Sequence, residues 1–125
     1  MAVSSCLYKA LEIEIQGIPM AVISGGAFGF NWVAALKDVK ITGNPKTYST
    51  KANTGNIVTS HLCSNCGVTL WRDGPPSNGL MYLKAGTLND FKDQKLVTPV
   101  AETFVSKRLG WLGSVLGGIQ KQEMQ

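Results

Sequence analysis

The chain has 125 residues, a net charge of +4, 44% hydrophobic and 16% charged residues. That length suits one domain, 1–125, and the apolar share is enough for a core, which excludes disorder as the main state. The twelve Lys and Arg are scattered rather than clustered, so no nucleic-acid surface is expected, and the mild positive field favours a small anionic molecule instead.

Fourteen Gly and five Pro imply frequent turns and few long helices. Residues 1–6 lack a basic region followed by an apolar run, so no targeting segment is expected there. Leu11, Ile13 and Ile15 alternate with Glu12, Glu14 and Gln16, which reads as a half-buried strand. Residues 16–36 carry no charge and would be long enough to span a bilayer. Pro19, Gly25, Gly26, Gly29 and Asn31 interrupt that run, so buried strands joined by a glycine turn are expected and no membrane partner is. A strand within 28–36 follows, then a short one over 39–42, closed by the turn signal Gly43-Asn44-Pro45. Residues 48–50 read as a further short strand. Residues 57–62 and 68–72 are apolar or β-branched and read as two strands joined by the tight turn Cys63-Ser64-Asn65-Cys66-Gly67. Residues 73–79 are a loop by composition, 80–85 a strand, 86–95 a polar connection and 100–105 the last long strand. Residues 111–119 read as loop or short helix. The fold class expected is mainly β, with small packed antiparallel sheets of short strands and little helix.

The chain holds three cysteines, too few and odd in number for a disulfide scaffold, so a reducing, cytoplasmic compartment is expected. Cys63 and Cys66 have the spacing at which one turn presents two thiolates to a tetrahedral Zn²⁺. A redox pair would precede a helix, and β-branched residues follow here, so redox ranks low; two buried thiols without metal are the plain alternative. Cys6 is either a third ligand or a small buried residue. His61, the one histidine, points to the same strand face as Cys63 and is open to a ligand, general-base or ordinary hydrogen-bonding role. Arg72, Tyr82, Lys84 and Glu102 stand on or beside apolar strands, where each is either a pocket residue or part of a solvated face. Trp111 is core or pocket wall by residue type.

These residues together resemble the glutathione-dependent formaldehyde-activating enzyme family, which includes the centromere protein V-like domains. The segments that carry the resemblance are 54–74, around Cys63-Ser64-Asn65-Cys66-Gly67, then 84–90, 99–104 and Lys107-Arg108 to Trp111, with an order and spacing similar to fungal members. The resemblance implies a β-rich fold of the β-tent type around a structural zinc held by an early Cys-x-Cys pair and the later Cys-x-x-Cys. Cys6, Cys63 and Cys66 match three of those ligands, and Tyr8 stands at the fourth, which leaves the site incomplete. Family members also carry a Cys-x-Cys-x-x-Cys cluster that holds the catalytic zinc for joining formaldehyde to glutathione. Gly17-Ile18-Pro19 and Ser24-Gly25-Gly26 match its flanks here, and Met20-Ala21-Val22-Ile23 replaces the cluster, so no catalytic zinc is expected.

The function expected is an enzyme on a re-used scaffold. It would act on a small carbonyl, thiol adduct or secondary metabolite, with His61, Tyr82, Lys84 and Glu102 as acid–base groups. Phe28, Asn31, Arg72 and Trp111 are the expected substrate contacts. The alternatives are a non-catalytic binding or scaffold domain, as half of a hetero-oligomer, and a carbon–sulfur lyase that retains one zinc; the partners expected are a small-molecule substrate and a second copy of the chain in a homodimer.

Overall fold

Glu12 to Ile15 alternate as expected, and Ile13 and Ile15 are fully buried while the glutamates lie half in solvent. This computed structural model describes residues 2–6, 9–17, 20–26, 29–87, 89 and 98–122. The strands are β1 (Ala2–Ser5), β2 (Glu12–Ile15), β3 (Met20–Gly26), β4 (Gly29–Ala35), β5 (Val39–Thr42), β6 (Pro45–Lys51), β7 (Ile57–Cys63), β8 (Thr69–Asp73), β9 (Leu80–Lys84), β10 (Ala101–Arg108) and β11 (Ile119–Gln120). Among the described residues the helical content is three single-turn 3₁₀ segments, and no helix is long and apolar enough to cross a membrane. Mainly β with little helix is therefore what the chain adopts. Residues 111–118 form no helix, and Phe28, Tyr8 and most of 88–97 lie outside the described residues.

Two sheets form. β1-β2-β5 is an antiparallel three-stranded sheet, and β11-β10-β3-β4-β9-β8-β7-β6 is an eight-stranded one. Pairing is antiparallel throughout except at β10, which runs parallel to both β3 and β11. The core includes Leu11, Ile13 and Ile15 from the small sheet and Trp32, Leu70, Trp71, Met81 and Leu83 from the large one. Full burial of each such side chain stabilises by about 1.5–3 kcal/mol, an upper figure for a real denatured chain. Within the apolar run 16–36, β3 and β4 pair antiparallel, and their central register (Ala21 opposite Trp32) puts both on the core side.

Alternation on the large sheet gives it a second face. Trp32 opposes Leu83 and Ala34 opposes Met81 on the core side, so Asn31 and Val33 fall on the other side with Lys84 and Tyr82. Arg72 opposes Tyr82 and Ser60 opposes Arg72, which extends this outer face across β8 and β7.

One close approach ties the small sheet to the Cys6–Leu11 turn. Gly43 has φ +110°, and a Cβ there would sit 2.2 Å from the Ala10 carbonyl oxygen. Gly43→Ala therefore combines backbone strain with a clash against main chain. Expected is a loss of about 2–5 kcal/mol in denaturant unfolding, with m unchanged. A midpoint equal to wild type would refute the close approach.

Candidate functional site

Cys63 ends β7 and Cys66 lies in the turn that follows. The Cys63 N–H donates to the Val68 carbonyl and the Gly67 N–H to the Cys63 carbonyl, both at 2.9 Å. Gly67 sits at φ +79°, the left-handed geometry that closes the turn without a Cβ penalty. The Asn65 N–H is then aimed at Cys63 Sγ at 3.4 Å. A second turn does the same for Cys6. Its N–H donates to the Leu11 carbonyl at 3.0 Å, Lys9 takes φ +55°, and the Leu11 N–H points at Cys6 Sγ at 3.4 Å. Two separate turns thus present sulfur atoms with amides pointed at them.

The Sγ atoms of Cys6, Cys63 and Cys66 lie within 4.8 Å of one another. Three thiolates around Zn²⁺ with bonds of about 2.3 Å stand roughly 3.8 Å apart, so small rotamer adjustments suffice to close on a metal. None of the three cysteines is in a disulfide, Cys6 and Cys63 are buried, and the donor set suits a thiophilic ion. The amides of Cys66 and Asn65 favour the Cys63 thiolate. Burial and hydrogen bonding with Cys6 and Cys66 outweigh them, so its pKa lies above the ordinary thiol value. A cation at the centre would reverse that balance. Among the described residues this is the one group of three or more His, Cys, Asp or Glu side chains placed to hold a metal, and Tyr8 lies outside them.

His61 does not join the cysteines. Its Nε2 lies 2.9 Å from Asp73 Oδ1, and its ring stacks on Trp71 with centroids 4.2 Å apart and planes 7° from parallel. The Trp71 indole N–H donates to the other Asp73 oxygen at 3.2 Å. Asp73 is a partner the sequence reading missed, because Asp73-Gly74-Pro75 looks like loop; the β7–β8 register, Thr59 opposite Asp73, brings it into place.

The outer face of the large sheet holds an open pocket of about 340 Å³. Met20 and Val22 of β3, Asn31 and Val33 of β4, and Leu80 and Tyr82 of β9 line it, with Ala101 and Thr103 of β10 and Lys121 at one side. Asn31 and Tyr82 are thereby brought together. Asn31 Oδ1 is buried with no hydrogen-bond partner. Arg72 and Lys84 share the outer face on the neighbouring register positions. The Arg72 Nε–H donates to Ser60 Oγ at 3.1 Å. Burial lowers the Lys84 pKa from its ordinary value, and the nearby Arg72 charge lowers it further.

Two expected site residues are placed elsewhere. Glu102 alternates with Ala101 and Thr103, points away from the pocket and is 3% exposed. Its Oε2 accepts from the Val115 N–H and the Gln120 amide and pairs with Arg108. Trp111 is 74% exposed and does not line the pocket. The apolar wall of Met20, Val22 and Leu80 was not anticipated, although alternation along β9 already puts Leu80, Tyr82 and Lys84 on one side.

The family model for glutathione-dependent formaldehyde-activating enzyme matches residues 1–107. No curated protein matches the chain. Among solved structures, the chain is similar to a Rhodobacter sphaeroides protein determined by crystallography. The two are 15% identical, with a TM-score of 0.54 over 95% of this chain and 98% of the other. A likeness at that identity speaks for the fold alone.

Proposed function

The chain belongs to the glutathione-dependent formaldehyde-activating enzyme family, and from that premise we propose that it is a member with one structural zinc and a re-used pocket. Cys6, Cys63 and Cys66 hold the zinc, which cross-links the first turn of the chain to the β7–β8 turn. The outer-face pocket takes a small carbonyl compound, thiol adduct or secondary metabolite and turns it over by proton transfer, as a lyase, isomerase or cyclase does. The compartment is the cytoplasm, where three cysteines outside any disulfide persist.

The observation that carries this reading is the position of Met20 and Val22. They occupy the stretch where the family's catalytic cysteine cluster stands, and here they line a pocket with Asn31 and Tyr82. Met20-Ala21-Val22-Ile23 offers no thiolate, imidazole or carboxylate, so the donor set for a metal at that stretch is lacking. The wall is apolar and the polar groups are few and convergent, the usual make-up of a small-molecule site. Lys84 stands as a cation on the same sheet face, its pKa lowered by burial, and the Tyr82 phenol is the proton-transfer group. The Asn31 amide orients a carbonyl or hydroxyl group.

Purified protein assayed against aldehydes, their glutathione adducts and cyclic ketones tests this. Turnover is expected, with kcat falling about 100-fold or more in Tyr82→Phe and in Lys84→Ala. Unchanged kcat in both variants would remove the residue assignment. No turnover by well-folded protein would favour the binding-domain alternative.

A further inference from the structure

Arg72 and Lys84 are cross-strand diagonal neighbours: Arg72 opposes Tyr82, and Lys84 lies two residues further along β9 on the same face. Diagonal positions of this kind are about 7–8 Å apart at Cα, within reach of two long side chains. Like charges so placed repel, and sheets usually interleave an acid between them. Among the described residues neither cation has a carboxylate partner; the three ion pairs there are Lys40–Glu14, His61–Asp73 and Arg108–Glu102. Lys84 is also half-buried, which costs its ammonium solvation.

A second observation lies directly across the β4–β9 ladder. Asn31 opposes Lys84, and its amide has a buried oxygen with no partner. An unmade hydrogen bond in a half-buried position is a cost that a ligand would relieve. The third observation is what adjoins these groups. The pocket beside Asn31 and Tyr82 is walled by Met20, Val22 and Val33. Among the described residues, two cations without a carboxylate partner thus share the sheet face of the apolar pocket, and the unsatisfied amide of Asn31 lies on the pocket wall directly opposite Lys84.

Building on the pocket assigned above, we infer that its substrate is a small apolar acid. The carboxylate sits between Arg72 and Lys84, a donor group on the ligand reaches Asn31, and the hydrocarbon body lies against Met20, Val22 and Val33. Arg72 supplies the planar fork that matches a carboxylate, already held by Ser60, and Lys84 the point charge. Because burial and Arg72 lower the Lys84 pKa, acid binding weakens on the alkaline side sooner than an ordinary lysine would allow.

Benzoate, benzyl alcohol and inorganic phosphate are the probes, titrated into the full chain and followed by backbone amide shifts. Benzoate is expected to shift residues 31, 82 and 84 and to bind about tenfold or more tightly than either other probe. Lys84→Met and Arg72→Gln, checked for unchanged thermal unfolding, are each expected to weaken benzoate about tenfold and leave benzyl alcohol unaffected. Equal binding of benzoate and benzyl alcohol would overturn the anion site. Phosphate as tight as benzoate would overturn the apolar body. Shifts confined to other residues would overturn the location. Turnover of neutral carbonyls without benzoate binding removes this inference and leaves the enzymatic reading, whereas benzoate binding without turnover does the opposite.

Discussion

Cys63→Ser is expected to strip the protein of bound zinc and to lower its thermal midpoint by about 10 °C or more. Cys63 belongs to both the core and the sulfur cluster, being 2% exposed and within 4.8 Å of the other two sulfurs. Serine keeps the size and loses the soft donor, so packing is little disturbed while the metal loses a ligand. Structural zinc in small domains contributes about 10–16 kcal/mol of apparent binding energy, and that energy is linked to folding. This chain also has a core of Trp32, Leu70, Met81 and Leu83 that does not depend on the metal, so a part of that energy, not all of it, appears as lost stability. Wild-type protein is expected to carry about one zinc per chain by elemental analysis, and a chelator is expected to reproduce the Cys63→Ser midpoint. Cys66→Ser should act alike, and Cys6→Ser should free the Leu11 turn as well. Wild type purified with less than about a tenth of an equivalent, or a Cys63→Ser midpoint equal to wild type, would remove the zinc from this account.

Local pattern made much of this fold readable in advance. Alternation located β2, and the Cys-x-x-Cys-Gly turn located the sulfur pair, because each rests on a period or a turn that neighbouring residues encode. The parallel pairing of β10 with β3 is different. Ala101 opposes Val22 from far along the chain, and no local rule specifies which distant strand will be met. The irregularity that follows Thr103, with Phe104 at φ +51°, is likewise silent in the sequence, since Phe is a poor guide to a left-handed position. Residue type misleads at Trp111, which the aromatic side chain marks for the core and the chain leaves in solvent. Asn31, inside the uncharged run, lines the pocket with a buried amide oxygen that has no hydrogen-bond partner, a contact that strand pairing sets and residue type does not.

Glu102→Ala is expected to cost about 3–5 kcal/mol and to release the segment after β10, whatever it does to turnover. Glu102 accepts from the Val115 N–H at 2.8 Å and pairs with Arg108 at 3.2 Å, and the Lys121 N–H donates to the Glu102 carbonyl at 2.8 Å. One residue of β10 thus reaches Val115, Gln120 and Lys121 beyond the strand, with Arg108 of the same strand on the same carboxylate. Removing the carboxylate leaves the Arg108 charge and the Val115 N–H without their partner, which costs more than the pair contributes net. The pH dependence follows from the same contacts. Burial alone would raise the Glu102 pKa, but the Gln120 and Val115 hydrogen bonds and the Arg108 charge more than compensate, so it lies below the ordinary glutamate value. A carboxyl with a depressed folded pKa contributes stability that is complete above the unfolded pKa, about 4.3, and is lost as pH falls through the folded value. Wild type should therefore lose this stability on acidification, and Glu102→Gln should lack that acid-side component while keeping the side chain's size. Limited proteolysis gives the structural readout: new cleavage within 109–120 is expected in Glu102→Ala at neutral pH. If Glu102→Ala instead unfolds and digests as wild type does, the carboxylate is not the tether, and its acid–base role in turnover returns to the front.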